Sequence, residues 1–312
     1  MDEVVIQTNN LTKSFGRQIA VRDLTLRVGI GDVYGFLGPN GAGKSTTIRM
    51  LLGLIRPNRG EALLFGCNIS KNRREILKDV GALVEAPSFY KYLTARDNLR
   101  ILSRLSGGCT EKRIDEVLDV VGLLDRANDK VCTFSHGMCQ RLGVAQALLP
   151  QPKVVILDEP TSGLDPQGIK DMRELIKWLA TEQKVTVFLS SHLLHEVEQV
   201  CNRVGIIHRG KLLAEGNVDQ LLQRKTEVVE FTVDDASRAA EVVRHFEWAE
   251  ITAVNTSRME VQVAHQRIPD LNRSLVNEGI GVFSITPKTV NLEELFFDII
   301  RNTSGDVNNN PS

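Results

Sequence analysis

Apolar and polar residues alternate through the first 35 positions, as in IAVRDLTLRV from Ile19 to Val28. A period of two predicts antiparallel strands with one buried face. VYGFL (Val33 to Leu37) interrupts the alternation with a near-continuous apolar run, the pattern of a strand covered on both faces. STTIRMLLGLI (Ser45 to Ile55) then takes helical spacing, and GEALLFGCNI (Gly60 to Ile69) reads as strand and turn. Residues 72–79 read as a short charged helix. From about 88 to 150 the pattern is helical. Thr94 and Asp97 form a capping pair ahead of NLRILSRL. EKRIDEVLDVVGLL places apolar residues at 114, 117, 118, 121 and 124, one face of a helix.

Beyond 150, strands and helices alternate. VVIL (Val154 to Leu157) is an apolar strand, IKDMRELIKWLA (Ile169 to Ala180) a helix with Trp178 in its core face, VTVFLS (Val185 to Ser190) a strand, and about 193–201 a helix. Alternation of this kind predicts a mostly parallel sheet with covered faces. Arg209-Gly210 turns a hairpin between GIIH and KLLA. After about residue 224 the character changes. A strand at 227–233, a helix at 236–246, two strands up to Val263, a helix at 267–278 and GVFSIT give a βαββαβ order, which predicts a split-βαβ sandwich. NLEELFFDII (291–300) is a further amphipathic helix, and the polar tail at 305–312 is expected to be disordered.

Composition changes this picture little. The 312 residues are 42% hydrophobic and 25% charged, ordinary for a globular chain. A net charge of −1 gives no argument for nucleic-acid binding, and no nucleic-acid partner is expected. No apolar run approaches the ~18–20 residues that cross a bilayer. MDEVVIQTNN carries no secretion signal, and the five cysteines form no C-x-x-C pair, so free thiols in a cytoplasmic setting are expected. Cys132 and Cys139 lack the partners of a metal site.

The chemistry lies in residues 38–46, GPNGAGKST, which fit G-x-x-x-x-G-K-[ST]. Gly38, Gly41 and Gly43 let successive N–H groups turn inward around a phosphate, with Pro39, Asn40 and Ala42 completing the loop. Lys44 places a point charge between terminal phosphates, the Ser45 hydroxyl suits Mg²⁺, and Thr46 is read as the start of a helix whose positive end faces the anion. The strand before the loop and the helix after it supply the context this chemistry needs. VVILDEP (Val154 to Pro160) supplies its partner: Asp158, at a strand's C-terminal end, suits Mg²⁺, and Glu159 beside it suits a role polarising an attacking water.

FSHGMCQRLGVAQALL (Phe134 to Leu149), VVILDEPTSGLDP (Val154 to Pro166) and SSHLLHEVE (Ser190 to Glu198) follow one another in an order that resembles the ATP-binding subunits of ABC transporters. The resemblance covers residues 4–222. It implies an α/β P-loop NTPase over residues 1–222, with an antiparallel β subdomain and a helical subdomain at about 86–150; the small α+β domain read from the pattern at 223–304 follows it. It further implies an ATPase using ATP and Mg²⁺, with Phe15 stacking on adenine and His192 as the switch histidine. Ser135 and Gly137 match the signature that binds the γ-phosphate of a nucleotide held by a second subunit, and Asp165 matches the loop that crosses between subunits. His136 and Met138 depart from the usual LSGGQ. Glu85 stands where the family usually has glutamine, and the resemblance makes it a Mg²⁺ ligand and relay.

The phrase EAPSFY…LTA further resembles the branch conferring immunity or resistance to bacitracin and lantibiotics. The implied assembly is a homodimer on the inner face of the membrane, bound to a separate multi-span permease that docks against residues 86–134. The rival readings are a soluble ABC ATPase acting on ribosomes or DNA, and a non-transporting sensor complex. One cassette and no long heptad run count against the first.

Overall fold

A computed structural model describes residues 3–105, 107–222, 227–288 and 292–297. Contacts divide the chain into Met1–Val218 and Asp219–Ser312. The first unit opens with the two alternating strands, β1 (Val4–Phe15) and β2 (Gln18–Gly29), paired antiparallel. They join β4 (Arg59–Leu64) and β5 (Cys67–Asn68) in a sheet of order β2-β1-β4-β5. Ile6, Leu11, Val21, Leu24 and Leu26 bury its inner face, as the alternation requires.

A second sheet runs β10-β9-β3-β8-β7-β6. Its members are β3 (Val33–Leu37), β6 (Val80–Leu83), β7 (Val154–Asp158), β8 (Thr186–Ser191), β9 (Arg203–His208) and β10 (Lys211–Asn217). All neighbours are parallel except the edge hairpin β9–β10. Every residue of β3 and β7 is buried, because central parallel strands are covered on both faces. The helices are α1 (Lys44–Leu51), α2 (Ile69–Ile76), α3 (Ala95–Leu105), α4 (Glu111–Val120), α5 (His136–Leu148), α6 (Pro166–Thr181), α7 (Leu194–Glu198) and α8 (Val218–Leu222).

Several expectations shift at the margins. The helix after the glycine loop starts at Lys44, not Thr46, because Gly43 at φ +112 caps it with left-handed backbone. The charged helix begins earlier, at Ile69, where the Asn68 side chain accepts from the Ser70 N–H and caps it. Trp178 is not core but 36% exposed. The stripe that α6 buries is Met172, Leu175, Ile176 and Leu179, and Trp178 lies beside it.

Thr94 does cap α3: its hydroxyl accepts from the Asp97 N–H at 3.0 Å and donates to the Asp97 carboxylate at 2.7 Å. These bonds, the Thr94 hydroxyl foremost, hold the Asp97 carboxyl below its ordinary range. Thr94→Ala should therefore cost about 1 kcal/mol of stability. Urea unfolding checks this, and an unchanged midpoint would remove the cap from the account.

The second unit follows the expected βαββαβ order with β11 (Glu227–Val233), α9 (Ala236–Val243), β12 (Ala249–Val254), β13 (Arg258–Val263), α10 (Ile268–Asn277) and β14 (Val282–Lys288). Its sheet runs β12-β13-β11-β14, antiparallel throughout, the order of a split-βαβ sandwich. Val229, Phe231, Met259 and Val261 meet Ala239, Val243, Leu271 and Leu275 in one core. Residues 292–297 are helical. The rest of the helix expected at 291–300 and the tail at 305–312 lie outside the described residues.

Candidate nucleotide site

Strand register brings the motifs together. Leu37 of β3 pairs with Ser191 of β8, and Ser190 of β8 pairs with Asp158 of β7. The glycine loop, the acidic pair and the Ser190–His192 turn therefore leave the same edge of the parallel sheet, at the strands' C-terminal ends. That edge is where open α/β sheets bind ligands.

Two of the loop glycines, Gly38 and Gly43, are packed too closely to accept side chains. A Cβ on Gly43 would lie 2.5 Å from the Ala20 carbonyl oxygen. Lys44, only 6% exposed, donates from Nζ to the carbonyl oxygens of Gly38 at 2.6 Å and Pro39 at 3.3 Å. The same Nζ lies 3.1 Å from Oε1 of Glu159. The other carboxylate oxygen, Oε2, accepts from Nδ1 of His192 at 2.6 Å. A carboxylate accepts, so Nδ1 carries a proton and donates it to this bond. One carboxylate is thus shared between the loop lysine and the histidine.

Glu159 sits at φ +51, left-handed backbone that a glutamate adopts only when its surroundings hold it there. Ser190 does part of the holding. Its buried hydroxyl accepts from the Glu159 N–H at 3.0 Å and donates to Asp158 at 2.6 Å. Asp158, 4% exposed, is thereby oriented behind Glu159.

An open cleft of about 690 Å³ lies over this group. The expected residues along it are Phe15, Asn40, Gly41, Gly43, Lys44, Ser45, Thr46, Glu159 and His192. Phe15 is 53% exposed, with Lys13 Nζ 5.1 Å from the ring centroid, leaving an aromatic face at the rim. Four sets of expected residues lie off the lining. Gly38, Pro39 and Ala42 contribute backbone to the loop beneath it. Asp158 lies behind Glu159. Asp165 caps α6, accepting from the Gly168 N–H at 2.9 Å. Ser135 caps α5, accepting from the Met138 N–H at 3.2 Å, with Gly137 in the first turn of that helix.

Glu85, expected beside Ser45 and Asp158, is not among the residues that line the cleft. It is 62% exposed, sits at φ +65 and pairs with Arg49 of α1. The physical reason is charge: a glutamate there finds a guanidinium, which the neutral amide of glutamine would attract far less.

Sequence reasoning missed Gln18, Ile19, Ala20, Ser162 and Arg209, which also line the cleft. The Arg209-Gly210 turn was the available signal. It also missed a contact made by the unusual signature residue: His136 Nε2 donates to the Ser162 carbonyl at 3.1 Å, tying the start of α5 to the loop before Asp165.

The donor set fits a magnesium nucleotide. The Ser45 hydroxyl and the Asp158 carboxylate are hard oxygen donors. Among the described residues no cluster of three or more His, Cys, Asp or Glu could hold a metal by itself. Mg²⁺ suits such a place, because it keeps waters and takes phosphate oxygens as ligands.

A cleft that joins a phosphate loop, an aromatic rim and a lysine–glutamate–histidine chain is the site of a nucleotide-hydrolysing P-loop protein. The comparisons carry this to a family. The ABC transporter family profile matches residues 21–162. The bacitracin transport ATP-binding protein BcrA of Bacillus licheniformis is 47% identical, covering 95% of this chain and 97% of that protein. The lantibiotic transport ATP-binding protein SrtF of Streptococcus pyogenes is 39% identical over 69% of this chain and 92% of that protein. A solved structure, a dimeric post-hydrolysis state of an ATP-binding cassette bound to ADP and phosphate, superposes with a TM-score of 0.60. It is 25% identical and covers 68% of this chain and 98% of that one. The chain belongs to the ATP-binding subunits of ABC transporters, and it is an ATPase. Its resemblance to the bacitracin and lantibiotic branch is borne out by these relatives.

Proposed function

We propose that this chain powers the export of peptide antibiotics by a separate membrane-spanning permease, working at the inner face of the membrane as a homodimer. One observation carries the mechanism. Lys44, Glu159 and His192 meet in the cleft, while Ser135 and Gly137, at the start of α5, are not among its lining residues. A cleft complete in phosphate contacts from one side only calls for the α5 N-terminus of a second copy to close it. The bacitracin and lantibiotic names of the relatives support the substrate class. The dimeric cassette among the solved structures supports the stoichiometry. Among the described residues no helix is long and apolar enough to cross a membrane, so a translocation path by helices falls to another chain.

In this reading the loop N–H groups and Lys44 bind the triphosphate, and Phe15 receives the adenine. Ser45 and Asp158 would hold Mg²⁺, which would neutralise charge on the phosphates. Glu159 orients and polarises the attacking water, and His192 positions Glu159 through its Nδ1–H. Loss of the γ-phosphate removes the contacts that favour the closed dimer, so the dimer opens. The second unit is an accessory domain of this subunit.

Glu85 relays between the nucleotide and the permease. Glu85→Gln should leave ATP affinity within about twofold, since an exposed ion pair contributes ~0–1 kcal/mol. It should change how much transport accompanies each ATP hydrolysed, read as drug flux against phosphate release in vesicles. Equal coupling in both forms would make the glutamate a swap without consequence.

Purification of the tagged chain in detergent from its host tests the assembly. A multi-span membrane protein should co-purify in near-equal amount. Ribosomal or DNA-bound partners without a membrane protein would overturn the transporter reading.

A further inference from the structure

The tip of the β9–β10 hairpin is built more tightly than a surface turn requires. Arg209 at φ +48 and Gly210 at φ +77 are its two central residues, both in the left-handed region, as a type I′ turn needs. Gly210 is wedged against the start of the nucleotide site. Its N–H donates to the Ala42 carbonyl of the phosphate loop at 2.9 Å, and its carbonyl accepts from the Arg22 N–H at 2.8 Å. A Cβ on Gly210 would lie 2.8 Å from the Ala20 carbonyl oxygen, so only glycine permits this approach. The hairpin is therefore fixed to both β2 and the phosphate loop. What it presents to the cleft is Arg209, which lines it together with Phe15, Ala20 and Lys44.

The charges decide what that arginine does. Lys44, the other strong cation of the cleft, is 3.1 Å from Glu159 and bonded to two loop carbonyls. Arg209 is exposed and has no ion pair or hydrogen bond among the described residues. Burial, and after it the positive charge of Arg209, lowers the pKa of the neighbouring His208. An uncompensated guanidinium on a rigid mount, within a cleft for a polyanion, is a ready-made phosphate contact. The strain at φ +48 is itself informative. Asparagine or glycine would fit this turn better, so the side chain is not there for the turn's sake.

We propose that Arg209 is a nucleotide-binding residue that pairs with the polyphosphate and strengthens binding of ATP and ADP. The proposal rests on the cleft being the nucleotide site. The arginine acts through charge on the nucleotide, not through the shape of the turn. Its contribution therefore falls with ionic strength and vanishes for a ligand without phosphate.

Arg209→Asn is the variant that separates charge from fold, because Asn-Gly is a favoured type I′ pair and keeps the hairpin. Isothermal titration of the full chain with Mg·ADP should show binding about tenfold weaker than the parent, with Arg209→Lys in between. Titration with adenosine should show no difference between parent and variant. Lys44→Ala is measured beside it. Parent ADP affinity in Arg209→Asn with loss in Lys44→Ala overturns the role of Arg209 alone. Parent affinity in both overturns the cleft assignment along with it. An equal loss for adenosine and ADP overturns the charge argument.

Discussion

Glu159→Gln should slow ATP hydrolysis by at least about a hundredfold while ATP stays bound and the subunit accumulates as a dimer. The size follows from the role of a positioned general base, which contributes roughly 10²–10⁴ in rate. The direction of the binding effect follows from the local charges. Glu159 shares its carboxylate between Lys44 at 3.1 Å and His192 at 2.6 Å. A neutral amide of the same shape releases Lys44 from its carboxylate and removes a negative charge from a site that binds a polyanion. ATP affinity should rise or hold, not fall. Phosphate release measures the first effect, and sedimentation with and without ATP measures the second. A variant that hydrolyses at the parent rate would remove Glu159 from the mechanism. One that hydrolyses slowly yet never dimerises with ATP would keep the base and discard the dimer.

Lys44→Ala should weaken ATP binding by at least about a hundredfold, on the order of 2.7 kcal/mol. Lys44 is nearly buried, and its Nζ already satisfies two loop carbonyls as well as Glu159. Its removal deletes the charge aimed at the phosphates and leaves Glu159 facing the ligand with one cation-capable partner fewer. The carbonyls of Gly38 and Pro39 lose their donor, so the loop relaxes as well. Thermal unfolding without nucleotide separates these effects. A melting temperature near the parent's with lost binding assigns the loss to the charge. Parent ATP affinity in this variant would contradict the phosphate-loop assignment.

The two variants differ in a way that neither shows alone. Glu159→Gln removes a negative charge and Lys44→Ala a positive one from the same contact. The double variant should bind ATP better than Lys44→Ala if the pair competes with the ligand, because contacting residues are not additive.

Local chemistry was legible in the chain itself. GPNGAGKST folds as a phosphate loop because its glycines, lysine and hydroxyls act within one turn of backbone. Asp158 and Glu159 were legible because an apolar strand run ends on them. The βαββαβ order of the second unit was legible from period changes, but in its sheet only β12 and β13 are neighbours in sequence as well as in space. What depends on residues far apart in sequence was not. Glu85 reads as a metal ligand in the chain, and only the folded position of Arg49, 36 residues away, places it in an ion pair. Trp178 reads as core by spacing, and only the packing of α6 leaves it about a third exposed.

The sequence by itself determined which residues can bind phosphate, hold a divalent cation and move a proton, because those properties belong to side chains and short loops. It also determined the order of strands and helices, through the period of its apolar residues. The tertiary structure decided the rest. Register between β3, β8 and β7 set Lys44, Glu159 and His192 within bonding distance. A hairpin wedged by Gly210 against the phosphate loop brought Arg209 into the same cleft. Such proximity is a property of packing between distant segments, and no local pattern of residues encodes a distance across a sheet.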